Sequence, residues 1–405
     1  MSGGYLEVLC TAGALRVFVP ALVGRLSFAM VTLVLLFAVQ RSTDSFAIAG
    51  AAIGAFGLAN VIASPYRARF VDRRGQRFAL NSLAIAFAAG LSGIAALTAQ
   101  SGPPAGVLIG LAAVVGLFPP PLGASMRVLW GSITMPGALR TKAYSVDAVC
   151  EELLFTTGPL IAAAIVGAAS PMIGLLATAL VAVVGTLGMT SSSLSRGRIA
   201  VTASPRKRSR PLRQKGFIPV LIALLGVGVV LGTVEVVAPA VADTHGSVGL
   251  AGILLASFAA GSAVGGLLYG LRSWRSSLVN RLIILGTVMT VLCALLTTIG
   301  SFAVLGFGLA AVGFFLAPSL VTGYLLADDL TAAEVRTEAS SWINTAVNAG
   351  AAVAAAIVGF AVDAVEPRLG FIIGAGMALT LVVAASVPLL RNSRPAAVTD
   401  PVQSE

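Results

Sequence analysis

Twelve apolar runs, each near the ~20 residues that carry a helix across a bilayer, recur along this 405-residue chain. They read at about 16–39, 46–66, 79–99, 105–128, 143–168 and 171–190. After a break they resume at about 217–241, 248–270, 281–300, 303–326, 338–361 and 370–390. Lipid offers no water to pair backbone N–H and C=O groups, so each run must satisfy its own backbone as a helix. The expected fold class is an all-α membrane protein with twelve transmembrane helices. Connections as short as Ala169-Ser170 and Ser301-Phe302 make their flanking helices antiparallel neighbours. The first run is too long, and followed by too many others, to be a cleaved leader.

Composition excludes several classes. Charged residues make up 10% of the chain and hydrophobic ones 57%, against about 25% charged in a soluble domain. Cys10, Cys150 and Cys293 are scattered with no metal-site or disulfide spacing and read as small buried hydrophobes. His245 is the single histidine. A zinc site, a histidine-based triad or a membrane-embedded enzyme has no constellation to work with, so no metal, cofactor or catalytic residue is expected. No Gly-x-x-x-x-Gly-Lys-Ser/Thr sequence is present to bind ATP.

Lys and Arg placement sets the orientation. With both termini in the cytoplasm, 23 of the 26 basic residues fall on that side and only Arg41 and Arg368 on the other. The net charge of +10 thus belongs to a membrane topology and not to a nucleic-acid surface. The stretch 191–216 is rich in Ser, Pro, Arg and Lys, cannot bury a core, and is expected to be a flexible cytoplasmic linker against anionic lipid headgroups. It separates residues 1–190, a first six-helix bundle, from 217–390, a second, with 391–405 as a cytoplasmic tail.

The two halves carry the same landmarks in the same order. Ala162–Gly167 and Ala354–Gly359 both read AAAIVG, 192 residues apart. Gly116-Leu-Phe-Pro-Pro-Pro121 answers to Gly313-Phe-Phe-Leu-Ala-Pro318 at an offset of 197, and Ala49-Gly50 with Phe56 answers to Ala251-Gly252 with Phe258 at 202. Ordered matches at nearly constant offset mark an internal repeat.

Between runs 2 and 3 lies Ala63–Leu80, read as a basic loop in which five arginines surround Asp72 and Gly75 permits a tight reversal. The spacing Asp72-Arg73-x-Gly75-x-Arg77 resembles the loop between helices 2 and 3 of the major facilitator superfamily of transporters. Ala68 and Gln76 stand where that family usually has glycine and arginine. In the second half Trp274 falls where Asp72 was. Gly158-Pro159 is similar to the glycine-proline motif of superfamily exporters that exchange substrate for protons, with Ala162 and Ala163 replacing its later glycines. The resemblance implies two pseudo-twofold six-helix bundles around a central cleft and alternating access of the two halves. It also implies that Asp72 holds the cytoplasmic start of helix 11, near Thr331-Ala-Ala-Glu334 and Thr337, closing the inner side.

Few charges lie inside the runs, where each is costly and usually paired or functional. Arg25 sits in run 1, Asp147, Glu151 and Glu152 in run 5, and Glu235 in run 7. Arg25 and the two glutamates lie at depths within roughly 3 Å of each other at 1.5 Å per residue, so Arg25 is expected to pair with Glu151 or Glu152. Asp147 and Glu151, four apart, share a helix face. Two acids beside one arginine suit a proton-coupling or substrate site. The same residues are also those of a static ion pair, with Asp147 in the headgroup region and Glu235 snorkelling. Pro121, Gly158, Pro159 and Pro318 are candidates to bend helices or line the cleft, and Trp342, Asn344 and Asn348 to line its second-half wall.

These features predict a secondary transporter in the cell (plasma or inner) membrane, working as a monomer and exporting a small amphipathic molecule in exchange for protons. The alternatives are proton-coupled uptake of a small metabolite and a non-transporting membrane sensor or scaffold.

Overall fold

The computed structural model describes residues 5–100, 103–196, 210–243, 248–364 and 368–392. His245, residues 197–209 of the 191–216 linker and most of the 391–405 tail lie outside them.

Every apolar run becomes a helix. Spans 1 to 3 are Ala14–Thr43, Phe46–Arg74 and Gln76–Thr98, and span 4 is a pair, Ala105–Gly116 and Leu122–Ile133. Spans 5 and 6 are Ala138–Ala168 and Pro171–Ser191. Spans 7 to 9 are Phe217–Asp243, Val248–Leu271 and Leu278–Leu295. Span 10 is again a pair, Phe302–Gly313 and Leu316–Leu330, and spans 11 and 12 are Arg336–Ala364 and Leu369–Asn392. Ten of these are long and apolar enough to cross a membrane, and span 2 with the interrupted span 4 completes twelve. Serines begin several: Ser45, Ser170 and Ser277 each accept an N–H from the first turn of spans 2, 6 and 9, satisfying donors that a helix leaves unpaired.

The basic stretch 63–80 is not a loop. Span 2 continues through Arg74 and span 3 begins at Gln76, so the connection is the single residue Gly75, at φ 82° and ψ 154°. Arginine and alanine are good helix formers, and nothing before Gly75 stops the helix. Charge ended the apolar run, not the helix. Cys10 differs from expectation too, being exposed ahead of span 1, whereas Cys293 is buried.

The repeat is visible in the packing. A Cβ on Gly116 would lie 2.3 Å from the Phe56 carbonyl oxygen, and one on Gly313 2.1 Å from that of Phe258. The landmarks that match in sequence therefore touch each other in both halves. Gly158, packed against Ala29, has the same relation to Gly350 against Leu225. Each half has its own apolar core, Met30 to Ala182 in one and Val227 to Ala378 in the other. A third cluster joins Val17, Trp130 and Tyr144 to Leu224, Tyr324 and Ile343 across the halves. Hence the halves are sealed at the arginine-rich end.

Candidate functional site

The break in span 4 builds the first wall of a cavity between the halves. Pro119, Pro120 and Pro121 have no N–H to offer the preceding turn, which frees the carbonyl of Gly116. Arg67, buried in span 2, supplies the donor: its Nη1 lies 3.0 Å from that oxygen, and its Nη2 donates to Asn60 Oδ1 at 2.7 Å. The helix then restarts and runs to Ile133. Arg127, which hydropathy put at the cytoplasmic end of run 4, instead sits 2% exposed in the protein interior.

Four charges meet there. Arg25 Nη2 donates to Asp147 Oδ1 at 2.9 Å, and Arg127 Nε lies 3.2 Å from Asp147 Oδ2. Arg127 Nη2 also donates to Glu151 Oε2. The expected Arg25–Glu151 or Arg25–Glu152 pair is thus replaced by Arg25–Asp147, one helical turn deeper toward the basic end. Asp147 is fully buried and not in a headgroup layer. Sequence depth located the partner to within a turn, but Arg127 was unaccounted for, and it claims Glu151. Removing one member of such a buried set strands its partner's charge.

Arg127 also crosses to the other half. Its guanidinium carbon stands 3.7 Å from the centre of the Tyr324 ring, and its Nη1 is 3.4 Å from Ser340 Oγ. Tyr324 in turn donates to Asn344 Oδ1 on span 11.

The cavity occupies about 430 Å³, and Arg25, Glu151, Glu152, Glu235, Asn344 and Asn348 all line it, with Pro121 at the break. Glu152 is about 100° round span 5 from Glu151. The salt bridges found among the described residues include neither Glu152 nor Glu235. Four sequence candidates lie elsewhere. Trp342 packs half-buried against the cluster joining the halves. Gly158 is a contact point, where a Cβ would be 2.5 Å from Ala29 Cβ, and Pro159 follows it within an unbroken helix. Pro318 is buried in the first turn of the second piece of span 10, just past the break.

Contacts at the basic end close the cavity floor. Ser64 and Ser341 meet at 2.6 Å. Asp72 Oδ2 accepts the backbone N–H of Glu338 at 3.0 Å, in the first turn of span 11, where the helix end is positive. Thr331 does not cap that helix; its hydroxyl donates to Ala327 O, and a 3-10 turn at Ala333–Val335 precedes the helix. The first-turn acceptor comes from the other half. Arg69 adds two bonds to the Glu338 carboxylate, at 3.0 and 2.5 Å. Farther round, Tyr144 donates to Asp328, which also lies within 3.8 Å of Arg140 and 3.7 Å of Arg336. Arg73 and Arg77 are exposed beside this layer. At the second-half counterpart, Trp274 bonds only its own neighbourhood, its Nε1 donating to Tyr269 O at 2.9 Å. Arg69, Asp328 and Glu338 were missed by sequence reading, although an Asp328-Asp329 pair eight residues before Arg336 was a signal.

Residues 220–404 match the family model of the Major Facilitator Superfamily. No curated protein matches the chain in sequence. Among solved structures, the human organic anion transporter MFSD10 (TETRAN) is similar with a TM-score of 0.69 at 16% identity, covering 92% of this chain and 98% of that one. A bacterial homologue of the iron transporter ferroportin, in an outward-facing state with soaked iron, has a TM-score of 0.68 at 16% identity, over 94% of this chain and 99% of that one.

Proposed function

We propose that the chain is a secondary transporter of the major facilitator superfamily rather than an enzyme, and that it exports a small amphipathic molecule in exchange for protons. Glu151 carries this reading. Its side chain is 25% exposed in a cavity-lining position, yet it holds the arginine that reaches Tyr324 and Ser340 in the opposite half. A proton taken up by that carboxylate removes one of the two charges that anchor Arg127, leaving Asp147. Protonation thereby changes a contact between the two bodies that must move in alternating access. The glycine-proline pair Gly158-Pro159 favours the export direction.

In this reading the arginine-rich end faces the cytoplasm with both termini, the chain works as a monomer in the cell membrane, and the cavity is the outward-facing one. The bundles are residues 1–190 and 217–390, the 191–216 linker lies against anionic lipid, and 391–405 forms a cytoplasmic tail. Proteoliposomes with an imposed pH gradient test the coupling. Glu151→Gln is expected to lower pH-driven flux at least about tenfold, since ionic hydrogen bonds of this kind contribute roughly 1.5–3 kcal/mol. Glu152→Gln is expected to do the same through the cavity wall. Full flux in both variants would remove the proposal.

Asp72 supplies a separate prediction. Asp72→Asn removes the negative charge from the positive end of span 11, a loss of about 1 kcal/mol, or roughly fivefold in the balance of inward- and outward-facing states. Spin labels at Arg73 and Glu334, both exposed, in a background without the native cysteines, report that balance as a distance distribution. The longer distance is expected to gain population, and an unchanged distribution counts against the role.

A further inference from the structure

The charges around the cavity do not cancel. Arg25 and Arg127 are matched by Asp147 and Glu151. Arg67 donates to the Gly116 carbonyl and to Asn60, neutral acceptors that leave its charge in place, so three cations face four carboxylates and one negative charge is in excess. Glu152 from span 5 and Glu235 from span 7 remain, one from each half, both lining the cavity and neither in a salt bridge found among the described residues. Carboxylates in a low-dielectric cleft attract a cation strongly.

A second feature faces the same space. Arg25 is only 8% exposed, and its Nε and Nη1 have no hydrogen-bond partner, a costly state for buried donors. Gly123 leaves a notch beside them. A Cβ there would stand 3.6 Å from Arg25 Nε, 3.6 Å from Arg127 Nη1 and 3.3 Å from Glu151 Oε1. Two donors with a carboxylate oxygen alongside suit an uncharged oxygen, because an anion in the notch would meet Glu151. Phe28 and Phe155, edge to face at 6.2 Å, add apolar and aromatic wall.

We propose that the cavity binds a small organic cation that carries an uncharged oxygen acceptor. Its ammonium lies between Glu152 and Glu235, its oxygen enters the Gly123 notch against Arg25, and its apolar body rests on Phe28 and Phe155, whose ring faces favour cations. Occupancy by an ammonium and by protons is then mutually exclusive at the two glutamates, which gives exchange without a further device. Calling this molecule the cargo rests on the transport reading above; its binding does not.

Titration calorimetry on the purified full chain in detergent tests the assignment, with three probes on one phenyl skeleton. Phenylalaninol carries an ammonium and a hydroxyl, phenethylamine an ammonium alone, and 3-phenylpropionate a carboxylate. Phenylalaninol is expected to bind tightest, phenethylamine about three- to tenfold more weakly for want of one hydrogen bond, and 3-phenylpropionate at least about a hundredfold more weakly. This comparison needs no variant. Glu152→Gln and Glu235→Gln are each expected to weaken both amines about tenfold. Gly123→Ala fills the notch and is expected to erase only the advantage of the hydroxyl. The proposal is overturned if 3-phenylpropionate binds as well as the amines, if neither amine binds at millimolar concentration, if both glutamine variants leave the amines unchanged, or if the hydroxyl's advantage survives Gly123→Ala. None of these outcomes touches the pH-driven flux measurement. Conversely, amine binding without any such flux would keep the site and remove the exchange reading.

Discussion

Arg127→Met is expected to abolish transport, by about a hundredfold or more, and to cost roughly 3–5 kcal/mol of stability, the usual consequence of stranding buried charge. Arg127 holds Asp147 through Nε and Glu151 through Nη2, and Asp147 is fully buried. Without it, Arg25 alone faces two carboxylates. The variant also loses the guanidinium over Tyr324 and the bond to Ser340, both in the other half. Arg127→Lys separates these effects. A lysine keeps the charge but has one nitrogen where the guanidinium uses three in fixed directions. It should therefore recover much of the thermal stability in detergent while transport stays at least about tenfold down. Adding Glu151→Gln to Arg127→Met removes the stranded carboxylate, so stability is expected to rise again without transport returning. Wild-type flux in Arg127→Lys would make the contact between halves irrelevant to the cycle.

The features that hydropathy could reveal are those on which lipid imposes a rule. Twelve helices and the proline break in span 4 follow from backbone satisfaction in an apolar solvent, whereas the paired halves were read from landmarks repeated at nearly constant offset. The Asp72 contact with the start of span 11 was legible only through the resemblance of Asp72-Arg73-x-Gly75-x-Arg77 to the superfamily loop, which implies it. The ion-pair pattern was less so. Hydropathy ends a run at its first charge, so Arg127 was assigned to a headgroup layer, although Leu129 and Trp130 beyond it are buried apolar residues that continue the helix. Depth along a helix comes from counting, but the choice between Asp147 and Glu151, one turn apart on the same face, depends on what else claims each of them. The contacts of Arg69 with Glu338 and of Tyr144 with Asp328 join residues far apart in the chain. No local periodicity encodes such pairs. They become apparent only once spans 2 and 11, and 5 and 10, are known to meet.

The repeat itself supplies the other large effect. Gly313→Ala is expected to prevent stable folding or to lower the unfolding temperature in detergent by well over the shift of an ordinary surface change. Its Cβ would be 2.1 Å from the Phe258 carbonyl oxygen, a backbone atom that cannot rotate away. The same contact face carries Gly261 and Gly265 on span 8, where a Cβ would be 2.0 Å from Ala310 O and 1.9 Å from Phe314 O. With glycines on both helices the backbones are in direct contact, as small residues allow in membranes, and neither side has a flexible chain to absorb a methyl. Overpacking of this kind costs about 1–3 kcal/mol and occasionally more. Gly116→Ala, the counterpart in the first half, meets Phe56 O at 2.3 Å. Its partner helix carries Ala59 and Ala63 where span 8 has Gly261 and Gly265, so side-chain methyls and not bare backbone alone make that contact, Ala59 Cβ lying 3.1 Å from the added Cβ. The first half can therefore part its helices more readily, and Gly116→Ala is expected to be the milder of the two. Gly57→Ala, where a Cβ would have nothing within 4 Å, serves as the control, neutral or slightly stabilising through its better helix propensity. Thermal unfolding of the four proteins in one detergent ranks them, and equal stability of Gly313→Ala and Gly57→Ala would mean that these landmarks recur without holding spans 8 and 10 together.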